Sequence, residues 1–250
     1  MNVSLYHAAA GLTASNRWQE VISENLAASS IPGFKRQELS FAAIQAGMMS
    51  ASARPGGAAQ PFVIPQTSAS TNFAQGEMRF TGAKTDLAIE GGAFFEVQLP
   101  NGQTGYTRDG EFHVTAAGQI VTKQGYPVLG SNGPVQIDPR NPEPITVSAK
   151  GEISQGNDVK GSLKLVGFDD PQKLTRVGSG FYLATSPEIQ KSEETPATVR
   201  QGYLETSNTT PVAEMAHLMS AMRTFEANQR MIQLHDDRLN KAITELGSPS

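Results

Sequence analysis

Apolar positions near the start of the chain recur at three- and four-residue steps. Leu5, Ala8, Leu12, Gln19, Ile22 and Leu26 follow that spacing, with Ala9, Trp18 and Val21 beside them. The period predicts a helix over residues 4–30. Pro32 restrains Ile31 from helical geometry and Gly33 supplies a turn, so the helix should stop near Ser29–Ser30.

A longer helix is predicted at the other end, over residues 211–246. Thr210 is a suitable N-cap, Pro211 fits the first helical position, and Glu214 lies in the first turn, where a carboxylate favours the peptide dipoles. Gly247 and Pro249 end it. Written in heptads, its a and d positions are Met215, Leu218, Met222, Phe225, Gln229, Ile232, Asp236, Leu239, Ile243 and Leu246, eight of the ten apolar. Five heptads of that spacing predict a coiled coil. Such a helix spans about 54 Å, longer than a small domain needs. The N-terminal helix carries a weaker, alanine-rich stripe whose Ala8, Ala9 and Ala10 permit close backbone approach. The two ends are therefore expected to pair into one discontinuous coiled-coil domain. The competing reading has both helices covering the middle of the chain as ordinary amphipathic elements.

Between the helices the pattern changes twice. Residues 46–76 hold one charge, Arg54, and many small side chains, with neither helix nor strand period sustained. They are expected to form an extended connector. Residues 77–205 read as antiparallel β. Asn101-Gly102, Asp109-Gly110, Ala117-Gly118 and Gln124-Gly125 punctuate apolar runs at Ala93–Leu99, Glu111–Thr115 and Gln119–Thr122. Pairs of this kind suit tight hairpin turns because they reach positive φ cheaply. Later strands are expected at Ile145–Ser148, Ser162–Phe168 and Gly180–Thr185. The fold class is thus α+β, helical ends around an all-β middle.

Composition narrows the function. The chain has 250 residues and a net charge of −4, too small for charge-driven disorder. Its Leu, Ile, Val and Phe content, about a fifth, lies just above the level at which chains stay disordered. With no cysteine, a disulfide scaffold and a thiolate metal site are excluded. No apolar run approaches the ~20 residues that span a bilayer. The first residues lack the basic and apolar regions of a secretory signal. Without a basic patch, nothing points to nucleic acid as a partner. The four histidines, His7, His113, His217 and His235, are dispersed, and no zinc, phosphate-loop or nucleophile-elbow motif occurs. No catalytic group, metal or cofactor is expected. A rival class is a secreted glycan-binding β module with a helical dimerisation stalk, but Trp18 lies in the helical stripe and Tyr106, Tyr126, Tyr182 and Tyr203 are scattered.

Three blocks resemble one known family. Glu24–Arg36 is similar to the N-terminal signature of the flagellar rod and hook proteins, with Asn25, Leu26, Ala27, Gly33, Phe34, Lys35 and Arg36 in place and Glu24 and Ala28 where asparagines are usual. Thr85–Tyr126, with Tyr106, Arg108, Asp109 and Gly110, resembles the family's middle-domain signature. Gln201–Asn228, with Leu204, Glu205, Ser207 and Asn208 before a long helix, resembles its C-terminal motif. The resemblance implies a structural subunit of the proximal rod, with a distal-rod subunit or related rod paralogue as the alternative. It implies an inner coiled-coil domain from residues 1–45 and 206–250, a connector over 46–76 and an outer β domain over 77–205. Partners would be copies of itself, other rod proteins and the flagellar type III export apparatus, which would place it in the periplasm-spanning basal body without a cleaved signal peptide or membrane insertion. Assembly contacts are expected at Leu5, Leu12, Ile22, Leu26, Met215, Leu218, Met222, Phe225, Ile232, Leu239, Ile243 and Leu246. Lys35 and Arg36 are read either as an interface cation pair or as a solvated helix-end pair, Asn25 as a backbone-bonding side chain at the helix end, and Arg108-Asp109-Gly110 as a hairpin turn.

Overall fold

The computed structural model describes residues 3–49, 60–178, 180–186, 188–192 and 196–247. A helix, α1 (Val3–Ala28), opens the chain, a mostly antiparallel β region follows, and a second helix, α2 (Pro211–Gly247), closes it. The architecture is α+β. The chain divides into two compact units: one comprises α1 up to Leu26, residues 37–70 and α2, the other residues 27–36 and 71–210.

In the helical unit, α1 buries Ala14, Ser15, Val21, Ile22 and Asn25, with Leu12, Trp18 and Leu26 half-buried. Two of these are polar and two are small, so the stripe is weak on any hydrophobicity scale. Asn25 is 1% exposed: its amide donates to the Gln37 carbonyl at 2.8 Å and its Oδ1 accepts the Gln37 N–H at 2.9 Å. It does bond backbone, but that of the strand twelve residues on rather than of its own helix end.

Along α2 the covered positions are Glu214, His217, Leu218, Ala221, Phe225, Asn228, Ile232 and His235, most of them spaced by four and three. The covered face is turned from the one the heptads predict. Leu218, Phe225 and Ile232 lie inward as expected, whereas Met215, Met222, Gln229 and Asp236 are exposed and their preceding neighbours take the inward places. The cause is that Ala221 is fully buried, and alanine brings backbones close without registering as strongly apolar. Gly11 of α1 lies opposite Asn228, whose amide is 3.4 Å from Ser15 Oγ. Small residues at 11 and 15, rather than Ala9, mark the close approach; Ala9 is exposed.

The expected connector is the largest departure. β1 (Gln37–Met49) and β2 (Gln60–Thr71) form a two-stranded sheet, so strand begins at residue 37, inside the stretch assigned to the N-terminal helix, and occupies much of 46–76. Ser40 and Ser68 hydroxyls meet at 2.6 Å, and Trp18 packs edge-on to Phe41 with centroids 6.2 Å apart. The small and polar residues of these strands carry no sustained alternation, which is why the sequence reads as a linker.

In the second unit a six-stranded antiparallel sheet runs in the order Thr175–Arg176, Phe181–Leu183, Thr104–Thr107, Phe94–Gln98, Leu165–Phe168 and Lys191–Ser192. Both its faces are covered. Phe95 and Val97 join a core with Leu87, Ile89, Phe112, Ile120 and Ile153, while Phe94, Tyr106 and Tyr182 pack on the other side with Phe73 and Phe168. Burial on both faces explains why Ala93, Phe94, Phe95 and Val97 are all apolar, while the buried Glu96 between them pairs with Lys164 at 3.1 Å. Asn101-Gly102 and Ala117-Gly118 turn hairpins, with φ of 77° and 81° at the glycines. Asp109-Gly110 does not: the strand before it pairs with Phe94–Gln98 and Phe181–Leu183, the strand after it with Ile120–Thr122. A Cβ on Gly110 would lie 1.6 Å from the Leu87 carbonyl oxygen, so the glycine is there for closeness, not for a hairpin.

Candidate functional site

The three motif blocks converge in the second unit. Gly33–Arg36 runs beside Glu205–Asn208, and the two are stitched together by backbone: Gly33 N–H donates to Glu205 O at 2.7 Å, and Asn208 N–H to Phe34 O at 3.2 Å. Gly33 has φ of 65°, and a Cβ there would sit 2.3 Å from the Arg108 carbonyl oxygen. Only glycine lets the first block approach the second so closely.

At the centre lies a buried ionic cluster. Lys35 and Glu205 are fully buried, Nζ to Oε1 at 2.5 Å, and Nζ also donates to the Ala74 carbonyl at 2.8 Å. Glu205 Oε1 accepts the Gly76 N–H at 2.7 Å, and Oε2 lies 3.4 Å from Arg108 Nη1. Arg108 further donates from Nη1 to Ile89 O at 3.2 Å and from Nη2 to Gly91 O, and its guanidinium stacks 5.0 Å from the Phe94 ring centre. Two cations thus share one carboxylate, and backbone carbonyls supply the remaining negative potential. Burial holds both the Lys35 ammonium and the Arg108 guanidinium below their ordinary pKa, against the attraction of Glu205, which raises them.

Around this cluster the other motif residues complete a shell. Asn208 accepts the Arg36 N–H at 2.7 Å and donates to the carbonyls of Asn72, at 2.7 Å, and Ala74, at 3.1 Å. Leu204 and Phe34 are buried, and Arg176 lies over the Phe34 ring at 4.7 Å. Ser207 Oγ accepts the Thr209 N–H at 3.3 Å. Burial pushes the Tyr182 phenol up to about 12, although Arg176 and Arg108 pull it down. Burial likewise raises the Asp109 carboxyl to about 6, partly offset by the Glu111 N–H that it accepts at 3.0 Å.

Lys35 is therefore neither an interface cation nor a solvated helix-end charge. Arg36 is half-buried, with its backbone tied to Asn208 and Asn72. Arg108 is 4% exposed and reaches inward from the segment between two strands. Asn72, Ala74 and Gly76 complete the cluster and escaped the sequence reading because they stand at the end of the presumed connector. The mark they carry is Gly76, whose Cβ would meet Thr206 O at 2.0 Å. Among the described residues no group of three or more His, Asp or Glu side chains is placed to hold a metal. The cluster fastens the segments that leave α1 and enter α2.

The expected assembly residues fall into two sets. Ile22 is 1% exposed and Leu12, Leu26, Leu218, Phe225 and Ile232 are half-buried, so these pack within the helical unit. Met215, Met222 and Leu239 are exposed at 52, 50 and 46%. The side chains of Leu5, Ile243 and Leu246 lie outside the described residues. No described helix is long and apolar enough to cross a membrane.

Helical ends around a mostly antiparallel β region, with three motif blocks drawn together at a buried ionic cluster, are the α+β architecture that the resemblance implied. Comparison with known sequences agrees. Residues 88–155 match the family model described as the flagellar hook protein FlgE/F/G D1 domain, and residues 200–245 match that of the flagellar basal body rod FlgEFG protein C-terminal region. Similar relatives include flagellar basal-body rod protein FlgF of Mesorhizobium japonicum, 32% identical over all of both chains, and FlgF of Caulobacter vibrioides, 35% identical over 99% of both. FlgG of Buchnera aphidicola is 33% identical over 95% of this chain and 97% of its own. The chain belongs to the flagellar basal-body rod protein family and is a structural subunit of the basal-body rod.

Proposed function

We propose that the chain is a proximal-rod subunit that polymerises through its terminal helices around an export channel and carries motor torque to the hook. The observation that carries this reading is the apolar surface α2 leaves exposed: Val212, Met215, Met219 and Met222 are 79, 52, 56 and 50% exposed, beside a face already covered. Contiguous exposed apolar surface on a soluble domain marks an interaction site. Head-to-tail contacts through such a surface build open helical assemblies. The ionic cluster serves the same end, since torque passing between helices and β domain must cross the segments it fastens. Full-length similarity to proteins named FlgF supports the proximal position; similarity to FlgG keeps the distal rod as the second reading. The export apparatus would deliver the chain unfolded, without cleavage. Deleting the gene and imaging basal bodies by electron cryo-microscopy tests this. A proximal subunit predicts bodies without the rod beyond its inner segment; a complete proximal rod lacking only its distal part assigns the chain to the distal rod, and intact rods overturn both.

A further inference from the structure

Half of the eight methionines stand on α2, at 215, 219, 222 and 231, and each is at least 50% exposed. Met215, Met219 and Met222 follow one another at steps of four and three, so they form one stripe with Val212. Met231 is equally exposed, at 52%, but lies roughly 150° round the helix from the others. Met78, in the β region, is half-buried. The chain has no cysteine, so no thiol competes for oxidants.

We propose that Met215, Met219 and Met222 are an oxidation-sensitive modification site, and that sulfoxide there blocks assembly through α2 and is reversed by methionine sulfoxide reductases. The proposal rests on the assembly reading above. The oxidant is a peroxide: the thioether sulfur attacks one peroxide oxygen, the O–O bond breaks, the sulfur keeps that oxygen, and the other leaves as water. Reduction returns the oxygen as water while a dithiol becomes a disulfide. The change converts a flexible apolar side chain into a polar one. On a covered core methionine this would unfold the helix; on an exposed stripe it alters the surface and leaves α2 intact.

Two measurements test it. Peptide mass mapping of the purified full chain after hydrogen peroxide should find sulfoxide at 215, 219, 222 and 231 before Met78; oxidation of Met78 at the same rate overturns the assignment. Newly assembled basal bodies are then counted in reductase-deficient cells regrowing flagella after a peroxide pulse, each strain against its untreated culture. Wild type should lose most of its yield, and so should Met231→Leu, while the Met215→Leu/Met219→Leu/Met222→Leu chain holds its yield. If the triple variant assembles poorly untreated, Met222→Leu alone carries the comparison, with partial protection expected. Equal loss in wild type and the leucine variants overturns the proposal. Untreated Met219→Asp/Met222→Asp separates the two levels: normal assembly there refutes the assembly reading itself, whereas failure there together with equal peroxide loss refutes only the oxidation site.

Discussion

Glu205→Gln is the sharpest perturbation of the ionic cluster. The wild-type carboxylate is fully buried and meets Lys35, Arg108 and the Gly76 N–H. The amide keeps the volume and one acceptor but removes the negative charge that two buried cations share. Breaking a buried ion pair by removing one partner costs about 3–5 kcal/mol, because the other charge stays buried without compensation. Against a domain stability of about 5–15 kcal/mol, that is about a fifth or more. With a urea m value of about 2 kcal/mol/M, the midpoint should fall by about 2 M at unchanged slope. The control is Glu90→Gln, whose pair with Arg200 at 2.7 Å is half-exposed on both sides and should contribute under about 1 kcal/mol. Urea titration followed by circular dichroism reads both. Adding Lys35→Met to Glu205→Gln should recover part of the loss, since the pair is coupled. A Glu205→Gln midpoint indistinguishable from that of Glu90→Gln would refute the view that this cluster fastens the unit.

Other consequences concern the same unit and the helices. Asp109, raised from 3.8 to about 6 mainly by burial, binds its proton more tightly when folded, so its contribution to stability is full below about pH 4 and is lost as pH rises through about 6. The shift is on the order of 3 kcal/mol between the two protonation states. Asp109→Asn, still able to accept the Glu111 N–H, should be more stable at pH 7 by about 1–2 kcal/mol and flatten the stability profile between pH 4 and 6; an unchanged profile contradicts the assignment. Gly110→Ala should unfold the β unit, whereas Gly102→Ala, with positive φ but open space around it, should cost about 1 kcal/mol, as thermal melts would show. Phe225→Asp, half-buried, should destabilise the helical unit itself. Helicity of the dilute subunit should rise on assembly, because long helices draw most of their stability from packing; an unchanged signal contradicts this.

Much of the architecture was legible in the sequence because local rules dominate there. The observed α1, ending at Ala28, and α2, starting at Pro211, lie within two residues of the expected bounds. Which face of α2 is covered was not legible. Small Ala221 and polar Glu214 and Asn228 occupy places that a hydrophobicity pattern gives to methionine. β1 and β2 were hidden for a related reason, since their small and polar residues sustain no alternation. The Lys35–Glu205 pair spans 170 positions and leaves no local trace. The motif blocks contain both residues but give no sign that they pair or that the lysine is buried.

Met219→Asp/Met222→Asp tests the central claim most directly, because both side chains are exposed and the substitution should leave the subunit folded. Measured as swimming and basal-body yield, with thermal melts of the purified chain alongside, the account predicts wild-type melting and loss of assembled rods. Wild-type motility in that strain would contradict it.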